Sequence, residues 1–383
     1  MTFREPTGMD RERGKSAELS GQVWPGGGPA GNTHGTVRGI FRGGAIRLQG
    51  TPFLSGGKGV KELSVGACLY RLFCCFNQRT KRKTEDTHMK FEHLQGSIVA
   101  MVTPFRQDGS VNFDMLTELL ERQIAAGTDG ILTLGTTGEY STMSHEEDAA
   151  VVEHTIRVVD GRVPVMVGSG SNCTVTQIEK SRLYQSMGAD ALLLISPYYN
   201  KANAEGMYRH FAETADAVDI PCILYNVPGR TGCSIPVSVV ERLARHPNIA
   251  GIKEASGDMS YAMKIARCVG PDFALYSGND DITVPILSIG GSGVISVYAN
   301  VMPAMCRQIV ADWLDGNHAR ALENHLRYLQ LMNDLFLEVN PIPVKAAMNM
   351  MGLDVGPMRL PLCEMGEANA ATLRRTLEEA GLL

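Results

Sequence analysis

Eight short runs of β-prone apolar residues recur along this chain at intervals that a crossover helix can fill, and that recurrence leaves few folds open. The runs begin near Ile98 (IVAMVTPF), Ile131 (ILTLGTTGE), Val165 (VMVGSG), Ala191 (ALLLISPYY), Ile223 (ILYNVP), Ala250 (AGIKEASG), Ala274 (ALYSGND) and Val294 (VISVYAN). Successive starts lie 33, 34, 26, 32, 27, 24 and 20 residues apart. Runs that are nearly all apolar, rather than alternating, suit strands buried on both faces. The segments between them carry helical signals. Phe113, Leu116, Leu120 and Ile124 repeat at helical spacing between Asp108-Gly109-Ser110 and Gly127. Ser144 with Glu147 reads as a capping box opening a helix that carries Val151, Val152, Ile156 and Val159 and stops at Gly161. Thr174 with Gln177 repeats the device, and Gly188 ends that helix.

Alternating strands and helices imply a parallel sheet covered on both faces. Eight such units in roughly 200 residues match an α/β fold of the (β/α)8 (TIM barrel) type, whose chemistry lies at the carboxyl ends of the strands. A doubly wound sheet is the runner-up, but Gly168-Ser169-Gly170-Ser171-Asn172-Cys173 holds only the first two glycines of a dinucleotide fingerprint. After Pro303 the chain turns helical, with Trp313, Leu322, Leu326 and Leu329 in one long segment. The expected division is an extension over 1–88, a barrel over 89–302 and a C-terminal helical region over 303–383 that covers the barrel or a subunit contact.

Charge separates the extension from the body. Residues 1–88 hold 14 Lys+Arg against 7 Asp+Glu, leaving 22 against 34 for residues 89–383. Pro25-Gly26-Gly27-Gly28-Pro29, Gly43-Gly44 and Gly56-Gly57, with few apolar positions before Val60, predict a disordered segment without a core. An apolar patch over Ser64 to Phe76 and the basic Lys81-Arg82-Lys83 fit neither a membrane span nor an N-terminal signal, and the acidic residues argue against a transit peptide. Met89-Lys90-Phe91 is the expected working start. A mildly acidic body argues against nucleic acid as a partner. No run of eighteen apolar residues spans a membrane. Nine scattered cysteines without CxxC point to reduced thiols in the cytoplasm, and nine histidines without HxxH or HExxH spacing to no metal site.

In the sixth run, Ile249-Ala250-Gly251-Ile252-Lys253-Glu254-Ala255 plants a lysine just before an apolar strand ends. Desolvating an ammonium costs several kcal/mol unless it deprotonates or finds a partner. A lysine driven towards the free amine attacks carbonyls, as a Schiff-base enzyme requires; the alternative is a stem packed on the core with its head in water. A barrel brings Thr136-Thr137-Gly138-Glu139, Tyr198-Tyr199, Tyr225-Asn226, Lys253-Glu254 and Gly278-Asn279-Asp280 to one mouth. Two tyrosines and two threonines make a hydroxyl chain able to pass protons, and the Gly135–Gly138 turn offers backbone N–H groups to a small carboxylate. Gly290-Gly291-Ser292-Gly293 precedes the eighth strand, at the wrong end for a phosphate cradle, and reads as a turn.

Four motifs in order carry a family resemblance: Gly135-Thr136-Thr137-Gly138-Glu139, Pro197-Tyr198-Tyr199-Asn200, Tyr225-Asn226-Val227-Pro228-Gly229-Arg230-Thr231-Gly232 and Gly251-Ile252-Lys253-Glu254-Ala255. Together with Asn340-Pro341-Ile342-Pro343-Val344-Lys345 and Arg359-Leu360-Pro361, they make residues 96–383 similar to the dihydrodipicolinate (4-hydroxy-tetrahydrodipicolinate) synthases, pyruvate-dependent class I aldolases. The resemblance implies that Lys253 forms a Schiff base with pyruvate and that Tyr225 donates and accepts the proton. Thr136 would link Tyr225 to Tyr199, which in the family reaches in from a neighbouring subunit. Thr137 would hold the pyruvate carboxylate, and the backbone of Ile295 would line the same pocket. The enamine then attacks L-aspartate 4-semialdehyde; the imine is the electron sink, so no cofactor is implied. A homotetramer built from two dimers is implied as well.

Sister lyases of this superfamily act on sugar acids, and a non-catalytic barrel that binds an oxo acid is a further alternative. Arg230 favours an acceptor with its own carboxylate, because a planar guanidinium suits bidentate capture of one. A metal-dependent aldolase lacks its histidine cluster. Asn172, Tyr198 and His145 match the family's lysine effector site, whereas Tyr140, Asp148 and Thr176 depart from it, which predicts weak or absent inhibition by lysine.

Overall fold

A computed structural model of the chain describes residues 94–383. The expectations for the extension and for a start at Met89 lie outside the described residues.

Eight parallel strands close into a barrel in sequence order: β1 (Gly96–Ala100), β2 (Gly130–Thr133), β3 (Val165–Gly168), β4 (Ala191–Ile195), β5 (Cys222–Asn226), β6 (Ile249–Glu254), β7 (Ala274–Ser277) and β8 (Gly293–Ser296), with β8 pairing back onto β1. The fold is therefore the (β/α)8 barrel, and closure rules out the doubly wound sheet. Strand parity sorts the side chains into two cores. Ile98, Leu132, Met166, Leu193, Ile223, Tyr225 and Ile295 fill the interior, while Val99, Ile131, Val167, Leu192, Leu224, Ile252 and Val294 pack outward against the helices. The β5–β6 register shifts between Cys222 and Ile223, so that Tyr225 stands opposite Lys253 on the inward face. On the other side of β6, Gly251 allows the close approach of β7: a Cβ there would lie 2.5 Å from the Ala274 carbonyl oxygen.

Helix His145–Val159 has its capping box, with Ser144 accepting from the Glu147 N–H and Glu147 from the Ser144 N–H. The second expected box does not form. Helix Thr174–Met187 begins one residue earlier than predicted, with Cys173 as N-cap and no side-chain cap. Its Thr174 and Gln177 side chains turn instead to the helix Ala204–Asp216, where they meet His210 (Oγ1 to Nδ1, 2.9 Å) and Thr214 (Nε2 to Oγ1, 2.9 Å). The segment after Pro303 is also broken where one long run was expected. Helix Pro303–Leu314 ends before Gly316, at a left-handed φ of 84°, and helices His318–Arg327 and Leu329–Asp334 are separated at Tyr328. Leu322 and Leu326 face solvent. Helices Ile342–Met350 and Glu367–Glu379 complete the chain. Among the described residues, no helix is long and apolar enough to cross a membrane.

Candidate active site

The carboxyl ends of the strands surround a cavity of about 330 Å³ lined by Thr136, Thr137, Tyr225, Arg230, Lys253 and Asn340, among others. A comparable hollow of about 390 Å³ lies at the other mouth, beside Pro164, Asp190, Pro221 and Asn248, and holds none of the candidate residues.

Lys253 is 5% exposed. Its Nζ sits 4.7 Å from the centre of the Tyr225 ring, close enough for a cation–π contact when protonated. Burial lowers its pKa to about 8; the negative charge of Asp280 opposes that shift and the Arg230 guanidinium adds to it. Asp280 is itself buried, and its Oδ2 accepts from the Val297 and Tyr298 N–H groups at 3.0 and 2.9 Å while Oδ1 has no partner. Burial raises the Tyr225 phenol, opposed by Arg230 and by a hydrogen bond with Thr136. A buried amine and a buried phenol thus line one cavity, and Thr136 hydrogen-bonds the phenol. Outside the barrel wall, Glu254 accepts from Asn226 Nδ2 (2.7 Å) and the Ser256 N–H (2.6 Å), which keeps the end of β6 in register with β5.

Thr136 and Thr137 lie on a 3-10 turn, Thr136–Gly138, that follows β2. Glu139 leaves this turn at a left-handed φ of 54°. Three side chains from the C-terminal region fasten the loop. Asn340 Nδ2 donates to Thr137 Oγ1 at 3.0 Å. Lys345 Nζ donates to Glu139 Oε1 at 2.9 Å and to the Thr103 and Pro357 carbonyls, with both ionised side chains out of solvent (0% and 1% exposed). Arg359 donates to Glu147 and to the Thr142 carbonyl, and its N–H bonds Glu139 Oε2 at 3.1 Å. Arg230 stands on the single helical turn Pro228–Thr231, and its Nη2 donates to the Asn340 carbonyl at 2.9 Å.

Of the residues singled out in the sequence, Lys253, Tyr225, Thr136, Thr137 and Arg230 meet at one cavity. Ile295 is wholly buried in the barrel interior. Tyr199 is not brought to the cavity of its own chain: it is 91% exposed, at a φ of 68°. Tyr198 hydrogen-bonds Tyr140, whose phenol is raised chiefly by burial and also by the field of Tyr225. Asn172 Nδ2 donates to the Tyr198 carbonyl at 3.2 Å, whereas His145 lines a separate hollow of about 170 Å³ with Thr176 and Lys180. Beside it Lys180 pairs with the buried Asp148 at 2.8 Å. Asp280 is among the residues expected at the mouth, whereas Asn340 and Lys345 carry no site role in the sequence reading. Asn340 and Lys345 sit in the motif Asn340-Pro341-Ile342-Pro343-Val344-Lys345, whose two prolines were the available signal. Among the described residues no group of three or more His, Cys, Asp or Glu side chains is arranged to hold a metal ion, and the six described cysteines are free.

Residues 93–380 match the dihydrodipicolinate synthetase family. The 4-hydroxy-tetrahydrodipicolinate synthase of Clostridium perfringens (strain 13 / Type A) is 48% identical over 290 residues, 76% of this chain and 99% of that protein. That of Thermoanaerobacter pseudethanolicus is 49% identical over 291 residues, 76% and 98% of the two chains. Among solved structures, dihydrodipicolinate synthase from Aquifex aeolicus superposes with a TM-score of 0.74 at 40% identity, covering 76% of this chain and 99% of that one. The chloride-inhibited dihydrodipicolinate synthase from Acinetobacter baumannii complexed with pyruvate gives 0.74 at 42% identity, covering 76% and 100%.

Proposed function

The chain belongs to the dihydrodipicolinate synthetase family, and from that premise we infer how the barrel mouth condenses pyruvate with L-aspartate 4-semialdehyde to 4-hydroxy-tetrahydrodipicolinate. This lyase reaction is the first committed step towards lysine and diaminopimelate. The observation that carries the residue assignment is a buried amine, its pKa lowered to about 8, beside the ring of Tyr225.

The free amine of Lys253 attacks C2 of pyruvate, and the carbinolamine loses water to give a protonated imine. Tyr225, joined to Thr136, moves the protons of those steps. Thr137 and the backbone of Ile295 hold the keto-acid end. Loss of a methyl proton then gives the enamine, with the imine nitrogen as electron sink. The enamine carbon attacks the aldehyde of the second substrate while Arg230 holds that substrate's carboxylate. The substrate's own amine adds to the imine carbon, closes the ring and expels Lys253. Tyr199 completes the proton path from a neighbouring copy, and its exposure on the single chain supports that role within a homotetramer in the cytoplasm.

Borohydride reduction in the presence of pyruvate tests the reading directly: mass should be trapped on Lys253, and aspartate semialdehyde should be turned over. Trapping without turnover would transfer support to a sister aldolase or an oxo-acid sensor. Arg230→Ala should lower kcat/KM for aspartate semialdehyde about 100-fold, the loss of a charged hydrogen-bond partner, while leaving pyruvate trapping nearly intact. Equal losses with a neutral aldehyde would remove Arg230 from acceptor recognition.

Lysine inhibition is weak or absent in this reading. The carboxylate of Asp148 is already taken by Lys180, and Thr176 offers no charge to an effector's ammonium. A submillimolar inhibition constant for lysine in a steady-state assay would refute this.

A further inference from the structure

We propose that Asn340 is a positioning residue: it directs the Thr137 hydroxyl proton into the cavity, so that Thr137 acts as a donor to the keto acid. This rests on the reading of Thr137 as the holder of the keto-acid carboxylate. Thr137 is buried, and a hydroxyl has a single proton to give. Because Asn340 Nδ2 donates to Thr137 Oγ1 at 3.0 Å, that proton is not spent on Asn340 and is free for an anion. A residue at 340 that accepted from Thr137 would draw the proton away and leave oxygen lone pairs facing the carboxylate.

Asn340 is well placed to hold this orientation. It is 5% exposed and lines the cavity together with Thr137, Arg230 and Lys253. Its carbonyl oxygen takes the Arg230 Nη2 donor at 2.9 Å, so the backbone at 340 is anchored on the acceptor side of the pocket while the side chain serves the keto-acid side. Its Oδ1 is buried without a hydrogen-bond partner. An amide that presents its NH₂ to a threonine, when the same amide carries an acceptor that could have taken the threonine's proton, has a direction, and that direction sets the polarity of Thr137.

The test compares Asn340→Asp, Asn340→Ala and Thr137→Val, with the double variant Thr137→Val/Asn340→Asp, each against wild type at the same pH. The readouts are the pyruvate concentration that half-saturates borohydride trapping on Lys253, and kcat at saturating pyruvate. Asp has the shape of Asn but accepts, so Asn340→Asp should raise half-saturation at pH 8 by about 10-fold or more, with kcat changed far less. Asn340→Ala frees the Thr137 proton to rotate and should raise it only a few-fold, although it removes more atoms. In the Thr137→Val background Asn340→Asp should add little.

Half-saturation unchanged in Asn340→Asp would overturn the proposal. So would a penalty that persists in the Thr137→Val background, which would mark direct repulsion of pyruvate, or an Asn340→Ala effect larger than that of Asn340→Asp, which would mark packing. Thr137→Val without effect would overturn both the proposal and the role of Thr137. The functional reading fails separately, on wild type alone, if pyruvate traps no mass on Lys253.

Discussion

Lys253→Met is expected to abolish turnover and, at the same time, to raise the melting temperature. The loss follows from the covalent step: without the amine there is no imine and no electron sink, and activity should fall by roughly 10⁴-fold or more, as when other covalent nucleophiles are removed. The gain follows from burial. The folded barrel holds the lysine at a pKa of about 8, against an ordinary value of 10.5, so the folded state binds its proton less tightly than the unfolded chain does. Below about pH 8 that difference costs the fold about 3 kcal/mol. As pH rises from 8 to 10.5 the unfolded chain also loses the proton and the cost fades. Methionine keeps the length and removes the charge, so the stabilisation should be present at pH 7 and vanish by about pH 10.5. Differential scanning calorimetry across that range checks the sign; a variant less stable than wild type at pH 7 would show that the ammonium is held by favourable contacts. The same shift shapes the chemistry. Roughly a tenth of the amine is free at pH 7, against about one part in 3,000 for an ordinary lysine. The trapping rate with pyruvate should therefore climb towards pH 8 and level off above it.

The second large effect lies outside the reacting groups. Lys345→Met should destabilise the protein by about 3–5 kcal/mol, because it strands the carboxylate of Glu139 in a place with almost no solvent. At roughly 2–4 °C per kcal/mol for a domain of this size, the melting temperature should drop by about 6–20 °C. Two carbonyls, of Thr103 and Pro357, lose a donor as well. Adding Glu139→Gln to Lys345→Met removes the stranded charge and should restore much of the loss, which is the signature of a desolvated pair rather than of lost packing. If the double variant melts lower than Lys345→Met alone, the packing account is the right one. Because Glu139 ends the turn that carries Thr136 and Thr137, the single variant should also weaken pyruvate trapping at temperatures where it remains folded.

Much of the barrel is legible in the sequence. Runs such as Ala191–Ile195 are buried on both faces, so their apolar character shows without alternation, and the order of eight runs then brings Lys253 and Tyr225 to one mouth. Their facing across β5 and β6 depends on the register shift at Cys222/Ile223, which has no compositional mark. Thr174 and Gln177 misled because a capping box is a local pattern, whereas His210 and Thr214, which take those side chains, are more than thirty residues away. The one long segment expected from Trp313 to Leu329 is interrupted at Gly316, whose left-handed φ ends a helix, and again at Tyr328. Lys345 was invisible as a buried charge, since a lysine two residues after Pro343 looks like a solvated one until Glu139 arrives from 206 positions upstream. Tyr199 belongs to a different class: it is 91% exposed on the single chain, so its proposed place on the proton path rests on the neighbouring copy that the proposed function invokes.

The fastening of the Thr136–Glu147 loop by Asn340, Lys345 and Arg359 has a consequence for biosynthesis on the ribosome. All eight staves of the barrel have been translated by residue 296, yet the struts that hold the threonines in place emerge some fifty residues later. A nascent polypeptide halted between those points would carry Lys253 without a settled seat for Thr136 and Thr137, so a complete pocket is expected only after Arg359 has been made and has folded back onto the loop.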